Sequence, residues 1–343
     1  LKFATAAAPH LQPRNSVARM MWEVLLALSP AAVIHVWYFG PGLIFNTAVA
    51  VLAALGSEAL MLHLRGRPVE RHIGDGSAVL TAVLLAFALP PLTPWWITAT
   101  GSAFAIIVVK HLYGGLGFNV FNPAMAGYVV LLISFPGHMS NWTPPNIGDL
   151  DYPYLTVLQT LNYTLTGRLP DALTMDALTR ATPLDAMRSG LAQMQTVGEI
   201  RVDPTFGDFG GRGWEWIGNF IIIGGIYLLW RGIIRWHIPV AMLVTIMLLA
   251  TISFSINPDR FSGPGFHLFA GATLLGAFFI ATDPVSAATT NLGRLIYGAG
   301  IGVLVFVIRN WGGYPDGVAF AVLLMNLTVP LLDRYTRPRV FGT

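Results

Sequence analysis

The chain has 343 residues, 54% of them hydrophobic and only 11% charged, with a formal net charge of +3 and no cysteine. A soluble domain carries about a quarter charged residues, so the composition is that of an integral membrane protein, and the small positive charge carries no nucleic-acid signal. Without cysteine the chain cannot hold a cysteine-ligated iron–sulfur cluster, covalent c-type haem or a disulfide, which leaves an organic or histidine-bound carrier for any redox role.

Residues 1–21 read as a polar, basic lead-in containing Lys2, His10, Arg14 and Arg19. With Pro9 and Pro13 and no continuous apolar centre, they do not read as a cleavable signal peptide. Apolar runs near the length of a membrane helix then predict spans over 22–39, 43–62, 77–92, 95–112 and 120–135, the first membrane half (22–135). A polar segment over 136–214 follows. Five more spans are predicted over 216–233, 238–256, 266–282, 293–309 and 315–332, within a second half of 215–332, and a basic tail fills 333–343. Continuous apolar runs satisfy their backbone as helices, so the expected fold is all-α with about ten transmembrane helices.

If both termini are cytoplasmic, 13 of the 20 basic residues fall on the inner side, Arg19, Arg65, Arg67, Arg71, Lys110, Arg231, Arg235 and Arg294 among them. The positive-inside rule favours that orientation. It puts 136–214 on the outer face, together with Asp149, Asp151, Asp171, Asp176, Asp185, Glu199, Asp203 and Asp208.

The two halves carry similar patches. Leu84-Leu85-Ala86-Phe87 followed by Pro94 resembles Leu274-Leu275-Gly276-Ala277-Phe278 followed by Pro284, and Lys110 to Gly115 resembles Arg309 to Gly313. Five spans per half is an odd number, so duplicated halves would be inverted. Each half also contains a short span interrupted by proline, with Asp75 preceding one and Asp283 ending the other. Broken spans leave backbone groups unpaired at depth, where they can line a cavity or bind an ion. Asp75 and Asp283 are therefore candidates for an ion path; as the alternative, both are helix caps at the membrane interface.

The run from Lys110 to Met125 holds Gly114, Gly115 and Gly117, then Asn119 and Asn122-Pro123. Bare glycine backbone allows close approach of a flat or anionic ligand, and asparagine amides supply donors and acceptors. Close helix packing is the other reading of the same glycines. The run is neither a P-loop nor a Rossmann fingerprint.

Asp75-Gly76-Ser77-Ala78, Leu89-Pro90-Pro91 with Pro94-Trp95-Trp96, Tyr113-Gly114-Gly115-Leu116-Gly117-Phe118-Asn119, Phe121-Asn122-Pro123-Ala124-Met125 and Ser134-Phe135-Pro136 together resemble the RnfD family of Rnf electron-transport complexes. That family is homologous to NqrB of the sodium-pumping NADH:quinone oxidoreductase, which usually carries a longer N-terminal extension. The resemblance spans essentially the whole chain, from Pro9-His10 to Arg337-Pro338. It implies an inner-membrane protein that works with the A, B, C, E and G subunits of Rnf, in membrane lipid, coupling electron transfer between ferredoxin and NAD to movement of sodium ions or protons.

The resemblance also implies FMN joined through its phosphate to a threonine in a pattern like Asp-x-x-[Ser/Thr]-x-Ala-Thr, installed by a flavin transferase. Asp176, Thr179, Ala181 and Thr182 fit that pattern with Thr182 as acceptor, and Arg180 stands where relatives often carry glycine. On residue types alone, Thr182 before Pro183 is equally an N-cap of a short helix through Leu184 to Met187. A second, noncovalent flavin, riboflavin, is implied by the related Nqr protein; Gly114, Gly115, Asn119 and Asn122 are candidate contacts for it. The competing expectation, suggested by the repeat and broken spans, is a flavin-free transporter or channel for a small solute.

Overall fold

The computed structural model describes residues 17–148 and 152–338. Of the residues named above, Lys2, Pro9, His10, Pro13, Arg14, Asp149 and Asp151 lie outside them. Among the described residues the protein is all-helical, with no strand and two isolated bridges, Trp142 with Arg180 and Phe206 with Gly211.

Helices α1 (Val17–Phe39) and α2 (Gly42–Leu64) are followed by short α3 (Val69–Ile73) and α4 (Ser77–Ala88). Next, α5 (Trp95–Phe104) continues into a π-helical stretch, Ala105–His111. Then comes α6 (Pro123–Ser134), with Asn122 as N-cap accepting the Met125 N–H and Pro123 in the first turn, where its missing N–H costs nothing. The polar segment carries α7 (Pro136–Met139), α8 (Val157–Thr166), α9 (Met175–Leu178), α10 (Pro183–Ala192) and α11 (Val197–Ile200). The second half contains α12 (Trp214–Trp230), α13 (His237–Ile256), α14 (Pro264–Phe269), α15 (Thr273–Leu275) running into a π-helical stretch Gly276–Ile280, α16 (Asn291–Trp311) and α17 (Val318–Tyr335).

Five helices, α1, α2, α13, α16 and α17, are long and apolar enough to cross a membrane, while α4, α6 and α12 are apolar but shorter. The outward faces are themselves apolar: Val244, Leu248, Ile252 and Ile256 form an exposed stripe along α13 at four-residue spacing. That stripe suits hydrocarbon as solvent, and with the apolar spans it describes a multi-pass membrane protein.

Since lipid gives no hydrophobic drive between helices, close packing carries the association. Gly298 and Gly302 put the backbone of α16 against α13: a Cβ on Gly298 would stand 2.6 Å from the Ile238 carbonyl oxygen, and one on Gly302 2.8 Å from that of Met242. The halves meet through α1 on α12 and α6 on α17, and one apolar core, including Leu28, Leu85, Met125, Leu228 and Phe279, is continuous across both.

The predicted span over 266–282 is interrupted. Gly271 adopts a left-handed turn at φ 65° between α14 and α15, and the freed backbone groups are met by an ion pair. Asp316 accepts the Ala272 N–H at 2.7 Å, while Arg309 donates to the carbonyls of His267 (2.7 Å) and Ala270 (3.0 Å) and pairs with Asp316 at 3.0 Å. The first half meets its own break locally, through an aspartate side chain. Gly76, at φ 75°, precedes α4, and Asp75 accepts the Ser77 N–H at 2.7 Å.

Candidate functional site

Thr182 is the N-cap of α10, so the motif residue and the helix-start residue are one. Its hydroxyl accepts the Asp185 N–H at 3.2 Å and donates to Asp185 Oδ2 at 2.9 Å. Burial pushes the Asp185 carboxyl up from its ordinary value, opposed by the Thr182 hydrogen bonds and the charge of Arg188.

The hydroxyl stands at a small pocket lined by Trp142, Thr143, Pro144, Pro145, Arg180, Ala181, Pro183, Thr205, Arg212 and Trp214. Three separate stretches build it. Arg180 donates its N–H to the Trp142 carbonyl at 2.9 Å, tying the motif to the start of the polar segment. The Arg180 guanidinium donates to the Asp176 and Thr179 carbonyls, each at 3.0 Å, and lies 5.0 Å above the Tyr152 ring. Arg212 and Trp214 arrive from the entry to α12, with Gly213 in a left-handed turn between them. The Trp142 and Trp214 rings meet edge-on at 4.9 Å, and Trp214 packs in turn on Phe39 of α1 at 4.7 Å.

Of the other motif residues, Thr179 donates its hydroxyl to the Met175 carbonyl at 2.9 Å and so closes α9, and Ala181 lines the pocket. Asp176 is exposed in the first turn of α9. Trp95 and Trp96 do not line this pocket; Trp96 packs on Phe135 and His138.

A second cavity opens among α1, α4, α6, α12 and the π-helical stretch of the second half. Its walls include Ser77, Leu84, Lys110, Asn119, Asn122, Leu228, Phe278, Phe279 and Asp283. The structure thus brings Asn119, Asn122 and Asp283 together, whereas Gly114 and Gly115 are not among its lining residues. The Asn122 amide is engaged at both ends, by the Met125 N–H and the Ile280 carbonyl, while the Asn119 amide donates to the Phe121 carbonyl. Asp283 accepts from the Ser286 hydroxyl at 2.7 Å. Asp75 does not line the cavity, but its carboxylate holds the Ser77 hydroxyl, which does.

Behind Ser77 lies a group of charges that spacing along the chain does not assemble. Lys110 donates to Ser77 Oγ at 2.7 Å and to Glu58 Oε1, and His111 Nε2 lies 3.5 Å from the same Glu58 oxygen. Glu58 and Lys110 are 2% exposed, so Lys110, counted among the inner interface charges, is a buried ion-pair partner. Arg309 likewise faces an acid, Asp316, within the protein. Glu58 left a usable signal in the sequence: an acid within a predicted span is costly unless paired. The π-helical stretch at 105–111 carries Lys110 and His111 at its end, and such wide turns recur at functional positions.

A family model described as "NQR2, RnfD, RnfE family" matches residues 4–342. The D subunit of the ion-translocating oxidoreductase complex of Cronobacter sakazakii is 49% identical over 346 residues, covering 99% of each chain. The protein of the same name from Aeromonas hydrophila is 50% identical over 348 residues, again with 99% of each chain covered. That from Aliivibrio salmonicida is 47% identical over 349 residues, covering 100% of this chain and 99% of the relative. With the match running through every helix and both sites, the chain belongs to the NQR2, RnfD, RnfE family.

Proposed function

We propose that this chain is the flavin-carrying membrane subunit of an Rnf-type complex, in which electron transfer between ferredoxin and NAD is coupled to sodium-ion or proton movement. Its relatives are named as subunits of an ion-translocating oxidoreductase complex, which supports the general activity. The observation that carries the flavin reading is Thr182: its hydroxyl caps a helix at a pocket walled by two arginines and two tryptophans.

Those residues fit FMN esterified to the Thr182 hydroxyl by the transferase. The N-terminus of the ten-residue α10 is a favourable position for a phosphate. Arg180 and Arg212 supply guanidinium donors suited to phosphate oxygens, and Trp142 and Trp214, set edge-on to each other, offer apolar ring surface for the flavin. When bound, FMN supplies the one- and two-electron chemistry that this cysteine-free chain lacks. The chain's own part is to anchor, orient and partly desolvate the group.

The inner cavity is the place we assign to riboflavin. Asn119 is the polar contact there, with Leu84, Leu228, Phe278 and Phe279 as apolar walls. Asp75 and Asp283 are the carboxylates of the proposed ion path, linked on the Asp75 side through Ser77 and Lys110 to Glu58. In this reading the halves are inverted five-helix repeats, ten crossings in all. Both termini are cytoplasmic in the inner membrane, Thr182 faces outward, and the chain is partnered by the A, B, C, E and G subunits of Rnf.

The test is the mass of the peptide containing Thr182, cut from denatured protein made in cells that possess the transferase. A covalent mass matching FMN supports the reading. An unmodified peptide overturns it and leaves the flavin-free transporter.

A further inference from the structure

A third cavity, of about 630 Å³, lies on the face that carries the Thr182 segment and takes no part in either flavin site. One face of α10 forms part of its wall through Leu184, Met187, Arg188 and Leu191; residues between Asn257 and Ser262, which follow α13, and the end of α16 form much of the rest. The Val197 N–H donates to the Asp259 carbonyl at 2.8 Å and ties the α10–α11 segment to the loop after α13.

Its chemistry is that of an amphiphile with an anionic head. Arg188 and Arg260 are exposed on the lining, and neither guanidinium has a hydrogen-bond partner among the described residues. Arg309 backs the inner wall, its charge met by Asp316. Asp259 is the one carboxylate on the lining among the described residues. His267 is 3% exposed, and both its ring nitrogens lack a hydrogen-bond partner among the described residues, so the wall holds a buried polar group that those residues leave unused.

The apolar part is equally specific. Phe261 and Trp311 line the cavity at the ends of the lipid-facing helices, where Trp311 is 60% and Ile256 76% exposed. Tryptophan at such a level marks a membrane–water interface. Met194 stands on the rim 91% exposed, in the left-handed conformation at φ 65° that favours glycine.

We propose that this cavity binds the phosphodiester headgroup of an anionic phospholipid, with Arg188 and Arg260 on the phosphate and the acyl chains running down the exposed stripe of α13. Guanidinium forks match phosphate oxygens, and the apolar rim is what free phosphate would not need. A bound lipid would clamp α10, whose N-cap is Thr182. The site does not depend on the flavin reading.

The test uses full-length protein, delipidated in detergent, with thermal unfolding and retained lipid measured after adding phosphatidylglycerol, phosphatidylcholine or inorganic phosphate. Phosphatidylglycerol is expected to raise the midpoint and to be retained through native mass spectrometry. Retention should weaken by roughly fivefold for each guanidinium removed in Arg188→Gln and Arg260→Gln. Both substitutions are on exposed residues, and an unshifted lipid-free midpoint checks their folding. Three results would each overturn the proposal: an equal effect of phosphatidylcholine, the whole effect reproduced by inorganic phosphate, or an undiminished lipid response in the doubly substituted protein.

Discussion

The Thr182 hydroxyl and the Asp185 carboxylate are joined at 2.9 Å, and the Asp185 N–H returns a second hydrogen bond to the same oxygen. One side chain therefore both starts α10 and presents the group proposed to carry the cofactor. Esterification would take away the proton that Thr182 shares with Asp185, so attachment and helix capping are chemically linked.

Thr182→Val is expected to abolish flavin attachment and to cost about 1 kcal/mol of stability through loss of the cap. Thr182→Ser should keep both. Peptide mass and in-gel flavin fluorescence read the first effect, and thermal unfolding in detergent the second. A valine variant that still carries the flavin mass would move the attachment elsewhere.

Asp185 gives a pH signature. Its carboxyl is raised above its ordinary value by burial. A raised acid favours the folded state most below its unfolded pKa, and that contribution is lost as pH rises through the folded value. The wild type should therefore lose stability relative to Asp185→Asn as pH increases from the ordinary aspartate range through the raised value, and the two curves should run parallel above it. Midpoints measured across that window test the sign. Asp185→Asn should also slow attachment in a timed transferase assay, because the threonine loses its carboxylate acceptor.

Removing one member of the buried pair strands the other. Glu58→Gln leaves Lys110 without its carboxylate and is expected to destabilise the protein by roughly 3–5 kcal/mol. Combining it with Lys110→Met should recover much of the loss, since the charge and its desolvation cost disappear together. Unfolding of the single and double variants forms the cycle, and additive effects would mean that the pair is not coupled.

Asp75→Asn and Asp283→Asn test the ion path in the assembled complex. Both carboxylates accept hydroxyl hydrogen bonds, from Ser77 and Ser286 respectively. Asparagine keeps an acceptor oxygen, so folding should survive. Ion movement per electron in proteoliposomes should fall at least several-fold in the double variant while electron flow continues. An unchanged ratio would remove both residues from the path.

Much of this protein was legible in its residues. Apolar runs are local, and a chain in lipid must satisfy its backbone within each run, so composition by itself determined a helical membrane protein. The proline and glycine breaks near Asp75 and Asp283 and the threonine at the head of a helix were also readable, because glycine, proline and capping residues act on their own few neighbours. What the tertiary structure decided is which distant residues meet. Arg212 and Trp214 reach Thr182 only because α12 returns to the end of α1. Glu58 reaches Lys110 across 52 positions because α2 packs on the π-helical stretch, and Arg309 folds back onto the break at Gly271. Spacing along the chain carries no record of such pairings: Glu58, Lys110 and Arg309 each fall within a predicted span, and burial there forces each to find a counter-ion whose position only the packing of helices decides.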